Sequence, residues 1–146
     1  MNIIDSEPSI DFVLLADRAE AINGKLYVMG GGWDRLWLTE FPKAFVASIA
    51  IGVIVPWSAT HTDHRLCVLV VTADETEIAN AQVTFAAGAS PQMKRGESQR
   101  ILVAFTMSPT FPGPGTYKVK ALIDDDEDHR RETVFYVNHK LGTPKQ

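Results

Sequence analysis

The densest set of chemically capable side chains is Gly30-Gly31-Gly32-Trp33-Asp34-Arg35-Leu36-Trp37. Three glycines after an apolar run let a backbone bend, bulge or approach another group closely. A phosphate cradle is one use of such a run. The G-x-G-x-x-G spacing is absent and no helical pattern follows, so a bulge or a corner between sheets is the preferred reading. If the segment after the glycines is extended, Trp33, Arg35 and Trp37 share one face, and Asp34, Leu36 and Leu38 share the other. Leu36 and Leu38 are the natural core residues. The opposite row, indole–guanidinium–indole, is then free to grip a protein, where Trp and Arg are common anchors, or to stack on a sugar ring. The alternative is that one indole plugs the core and the other is a half-buried lid, because Trp is mostly buried in folded proteins. Trp33, Asp34, Arg35 and Trp37, with Trp57 further along, are the expected interaction surface.

Two polar clusters have metal-ligand chemistry. The run Asp124-Asp125-Asp126-Glu127-Asp128-His129-Arg130-Arg131-Glu132 holds six acids and two bases, which accounts for the whole net charge of -4. Calcium takes about six to eight oxygens, and some β-sandwiches bind it on end loops. One hairpin tip rarely converges that many carboxylates, the Asp-x-Asp-x-Asp-Gly loop is missing, and Asp74 and Glu75 would have to reach the same end. A solvated turn that keeps an edge hairpin soluble is expected instead. His61, Asp63 and His64 are zinc-ligand types, but their spacing fits neither a helical pair nor a finger, and Cys67 falls inside a strand. A polar surface loop is expected there. No Gly-x-Ser-x-Gly elbow is present. A catalytic triad is defined by geometry in space, and paired carboxylates need a cleft that shifts their pKa values; the sequence shows neither. Cys67, in an apolar run, reads as a small buried hydrophobe. No metal, no cofactor and no enzymatic activity are expected.

The elements that position these groups are strands, because the apolar pattern has period two. Phe45, Ala47, Ile49, Ile51, Val53 and Val55 alternate with residues most of which are small or polar, as do Ile101, Val103, Phe105 and Met107, and Tyr117, Val119, Ala121 and Ile123. Each such run has one face for a core. Leu66 to Val71 is apolar on both faces and reads as a central strand or one whose second face is covered. Asn23-Gly24 supplies the positive φ angles of a two-residue hairpin turn. It also suits a helix end, and Asp17–Ile22 holds good helix formers, so that segment stays open between strand and short helix. Pro56 stops a long strand, Ala73–Thr76 turns the chain, Gly88–Ser98 is a polar loop, and Pro109–Gly115 is a connection. Asp124–His129 is the tip of a last hairpin returning through Glu132–Asn138. About eight or nine strands at short spacing predict an all-β, antiparallel two-sheet sandwich of immunoglobulin-like type.

The chain of 146 residues fits one domain over 1–146, with 139–146 a frayed tail. A pI near 5.5 argues against nucleic acid, which calls for a basic footprint. One cysteine excludes an internal disulfide. The acidic start lacks the basic region of a secretory signal, and no apolar run is long enough to span a membrane, so a cytoplasmic location is expected.

Several segments together resemble an uncharacterised bacterial family of short all-β proteins. They are Leu15-Ala16-Asp17 with Ala19, Asn23-Gly24-Lys25-Leu26, Gly30-Gly31-Gly32-Trp33-Asp34, Phe41-Pro42, Val55-Pro56-Trp57 and Pro114-Gly115-Thr116-Tyr117. The likeness spans nearly the whole chain. It implies a compact sandwich similar to immunoglobulin-like domains, and it carries no activity and no catalytic residues. The expected function is a non-enzymatic protein-interaction or assembly module, with a protein partner or self-association into a homo-oligomer. The alternative is a carbohydrate-type small-ligand binder using the exposed indoles; a metal-dependent hydrolase ranks third.

Overall fold

The computed structural model describes residues 7–88 and 92–141. Its strands are β1 (Ser9–Ile22), β2 (Lys25–Gly31), β3 (Arg35–Leu38), β4 (Lys43–Ala44), β5 (Ala47–Pro56) and β6 (Asp63–Thr72). They continue as β7 (Glu77–Ala86), β8 (Ser98–Met107), β9 (Thr110–Phe111), β10 (Gly115–Ile123) and β11 (Arg131–His139). Nine of them build two sheets, ordered β2-β1-β5-β8 and β3-β11-β10-β6-β7, while β4 and β9 pair only with each other. The protein is thus the all-β sandwich its alternation predicts, with two further strands of two residues each. One pairing departs from the antiparallel expectation: β3 runs parallel to β11.

Local chemistry explains the path. Asn23 and Gly24 take φ of 51° and 74°, and Ile22 pairs with Lys25, which makes the two-residue hairpin. Asp17–Ile22 is therefore strand, and its helix propensity yields to pairing with β2. The glycine run is a corner. Gly30 and Gly32 adopt φ of 59° and 87°, which side chains with a Cβ rarely tolerate, and here the chain leaves the first sheet after Gly31 to join the second at Arg35. The Gly32 N–H donates to the Leu15 carbonyl at 2.8 Å, which pins the corner to β1.

The core lies between the sheets. Ile49, Ile51, Val53 and Val55 of β5 and Tyr117, Val119, Ala121 and Ile123 of β10 belong to one buried cluster. At one end it is aromatic: Phe111 meets Tyr117 and Phe135 edge-on, at 5.0 and 6.0 Å between ring centres. The Tyr117 hydroxyl donates to the Gly113 carbonyl at 2.6 Å, so the Pro-Gly-Thr-Tyr segment locks the start of β10 onto its own connection. On the outer face of the first sheet, Ala16, Ala19 and Ala50 form a second buried cluster under Leu14, Leu26 and Ala104. β6 lies between β10 and β7. Its outward Cys67 and Leu69 are half-buried, and Lys120 sits directly across from Leu69. Cys67 is therefore less enclosed than the sequence suggests. Residues 89–91 of the polar loop and 142–146 of the expected tail lie outside the described residues.

Candidate functional site

Strand β3 carries the expected surface residues, and its parallel neighbour β11 completes the surface. Leu36 and Leu38 point inward and are buried, as alternation requires, while Arg35 and Trp37 are exposed. Register places Arg35 beside Tyr136 and Trp37 beside Asn138. The Arg35 guanidinium lies 4.8 Å from the Tyr136 ring centre, within cation–π range. Trp37 keeps 57% of its surface in water, Val134 41% and Tyr136 37%. The result is an aromatic and aliphatic patch on the outer face of the second sheet, at its β3 edge. Among the described residues Arg35 makes no ion pair, so its guanidinium edge remains available.

Trp33 does not join this patch, which corrects the expectation of an outward row through Trp33, Arg35 and Trp37. It precedes β3 and sits on the glycine corner, so the strand's alternation does not reach back to it. Its ring packs on the core instead, edge-on to Phe45 at 6.4 Å and to Phe135 at 6.3 Å. The indole N–H is buried without a hydrogen-bond partner among the described residues, so the ring serves packing at a polar cost. Asp34 contributes its backbone: its carbonyl accepts from Tyr136 N–H at 2.8 Å and opens the β3–β11 ladder. Trp57 lies in a 3-10 turn after β5, with the Arg95 guanidinium 5.2 Å from its ring, and it is remote from Trp37 along the sandwich. The sequence reading missed Val134 and Tyr136. The signal was present: Thr133, Phe135 and Val137 take the inner face, which sends two large apolar residues outward.

At the sandwich end next to Trp57, a solvent-open cavity of about 670 Å³ is lined by Glu7, Ser58, His64, Asp124, Asp126 and His129 among others. Here the two polar clusters meet. His61 is exposed in the turn before β6 and Asp63 is exposed as the first residue of that strand rather than in a loop, but His64 is 93% buried, because its relative exposure is 7%. It donates from Nδ1 to Asp124 Oδ2 at 2.8 Å and from Nε2 to the Ala59 carbonyl at 3.0 Å. Both partners accept, an arrangement that favours the doubly protonated imidazolium over the neutral ring. Burial opposes that charge, but the Asp124 and Ala59 hydrogen bonds and the nearby carboxylates outweigh it and raise the His64 pKa. Burial likewise pushes Asp124 up, and the His64 and Arg65 N–H bonds overcome it and hold its carboxyl low. Arg65 also pairs with Asp125. These bonds bind the β10–β11 turn to β6 and reverse the surface-loop expectation for His64.

Glu7, Asp126 and His129 bring one ligand atom each within 4.8 Å of one another, the one such group among the described residues. His129 Nδ1 donates to Asp126 Oδ2 at 2.5 Å, and Asp126 also accepts from Asp128 N–H at 3.0 Å. That hydrogen bond raises the His129 pKa and lowers that of Asp126, so the tip's ligand types are committed to shaping the turn. Asp74 and Glu75 stand at the other end of β6, where Glu75 pairs with Lys118 and Lys120. The convergence a calcium site would need from them is absent. Cys67 has its pKa pushed up by burial, the reverse of an activated thiol. Among the described residues no helix is long and apolar enough to cross a membrane.

No curated protein matches the sequence. Among solved structures, the CARDB domain of a Pyrococcus furiosus protein, crystallised in complex with di-metal ions, is similar at 13% identity. The similarity covers 96% of this chain and 95% of that one, with a TM-score of 0.43. Residues 11–137, from β1 through nearly all of β11, match a family of unknown function, DUF6941, and the chain belongs to that family.

Proposed function

We propose that this protein is a non-enzymatic interaction module that docks a protein partner on the outer β3–β11 face. The observation that carries the reading is the Arg35–Tyr136 stack beside the open Trp37 ring. The core does not use these side chains, and leaving them in water forgoes the gain from burying large apolar surface. Trp, Tyr and Arg are the residue types that dominate binding energy at protein interfaces, and here one of each stands on the paired strands β3 and β11. Arg35, without a carboxylate partner among the described residues, suits a partner that brings an acidic group next to an apolar one.

The test compares the wild type with Trp37→Ala and Arg35→Ala as baits for crosslinking and affinity capture. A protein captured by the wild type and lost with both variants, at unchanged circular dichroism, supports the reading. Equal capture by all three removes this surface from the function. Binding to a glycan panel that disappears with Trp37→Ala transfers the surface to carbohydrate recognition.

A further inference from the structure

The flank opposite the β3 edge carries an independent feature. β7 closes the second sheet and β8 closes the first, and the two strands approach each other on the same side of the sandwich. Each has ten residues and one neighbour in its sheet. The seam between them is incompletely covered. Ala79, Ala81, Val83 and Phe85 of β7 and Ile101, Val103 and Phe105 of β8 all pack on the core, yet every one is only half-buried. β5 and β10, deeper in their sheets, bury their inward rows completely.

β7 also lacks the residue types that protect an edge. It contains no proline, glycine, lysine or arginine, and its one charge, Glu77, is its first residue. The other edges differ: β3 has four residues, β2 ends at the glycine corner, and β8 carries Arg100. A bulge between Val70 and Val71 of β6 interrupts the pairing only near the start of β7, leaving Ala79–Ala86 regular. On the exposed side of that stretch stand Asn80, Gln82 and Thr84, all neutral.

We propose that β7 is a self-association edge, at which two copies of the chain pair β7 with β7 antiparallel about a two-fold axis. The strand is complementary to itself. With the axis at Ala81, Asn80 faces Gln82 of the second copy and Ala79 faces Val83. With the axis at Gln82, Asn80 faces Thr84 and Ala79 faces Phe85. In both registers amide or hydroxyl meets amide or hydroxyl outside, and apolar meets apolar inside. Antiparallel pairing puts the two Glu77 side chains at opposite ends. Such a pairing satisfies the edge N–H and C=O groups, joins two five-stranded sheets and covers the half-buried seam of each copy.

Light scattering on the full chain over a concentration series reads the mass, against 16.1 kDa for one copy. The wild type doubles that mass. Asn80→Lys/Gln82→Lys stays at one copy, and so does Asn80→Glu/Gln82→Glu, because like charges then face each other across the axis. Mixing the two variants restores the doubled mass. Trp37→Ala leaves it unchanged, which separates this edge from the docking face. A wild type that stays at one copy throughout overturns the proposal. So does a double-lysine or double-glutamate variant that folds and still doubles, or a mixture that does not.

Discussion

Trp37 and Phe135 show how one sandwich sets two kinds of aromatic residue to different tasks. Phe135 is 2% exposed and touches Trp33, Phe111 and Tyr117, so Phe135→Ala is expected to cost about 3–5 kcal/mol in denaturant unfolding. Trp37→Ala removes a largely solvated ring and is expected to change stability by less than about 0.5 kcal/mol. Trp37→Phe removes the most acrylamide-accessible part of the indole emission; a loss confined to the shielded component contradicts the placement of Trp37. His64 makes a pH prediction. Its folded value is raised above the ordinary 6.5, so its bonds stabilise the fold fully below that pH, and the stabilisation disappears as pH climbs through the raised value. Asp124 has the opposite sign, contributing above its ordinary 3.8 and losing its contribution as pH falls through the lowered value. An NMR titration of His64 is expected to give a midpoint above its ordinary value, returning toward it in Asp124→Asn. That substitution costs about 1 kcal/mol, less than a fully buried charged hydrogen bond contributes, since nearly half of the Asp124 side chain (47%) is in water. Neither residue announces the pair in the sequence, because the partners are sixty positions apart and only the β6–β10 register joins them.

Among the elements, β5 illustrates what alternation can and cannot say. Its inner row was legible from Ile49, Ile51, Val53 and Val55. Its outer row is Ser48, Ala50, Gly52 and Ile54; Ser48 and Gly52 read as small or polar spacers, yet both are buried, as is Ala50. Gly52 lies opposite Phe12 of β1, and a Cβ there would run into the Phe12 ring. Gly52→Ala is therefore expected to cost about 1–3 kcal/mol, read from the denaturant midpoint, by displacing the ring. A neutral outcome would mean that Phe12 does not lie over the glycine. β3 shows the reverse failure. Extending its alternation back to Trp33 placed that ring outward, but Trp33 precedes the strand and sits on the corner that Gly30 and Gly32 turn.

At the scale of the molecule, protection from amide exchange is expected to follow position in the sheets. β5 and β10 are flanked by strands on both sides and bury their inner rows, so their amides exchange slowest. β3 and the far half of β2, at the edges, exchange fastest. Slow exchange in β7 at high protein concentration that speeds up on dilution is the signature of the self-paired edge; concentration-independent exchange there speaks against it.

Period-two patterning, turn chemistry and composition were enough to determine an all-β sandwich, the inner rows of its long strands and the places where the chain turns, while leaving Asn23-Gly24 open between hairpin and helix end and the glycine run open between bulge and corner. These follow from local rules, because a strand's two faces and a turn's φ angles are set by neighbouring residues. Tertiary structure alone decided that β3 runs parallel beside β11, which puts Arg35 on Tyr136, and that His64 meets Asp124. It alone left the β7–β8 seam half-covered. Those outcomes depend on which strands become neighbours and in what register, and that choice is made by the packing of two whole sheets.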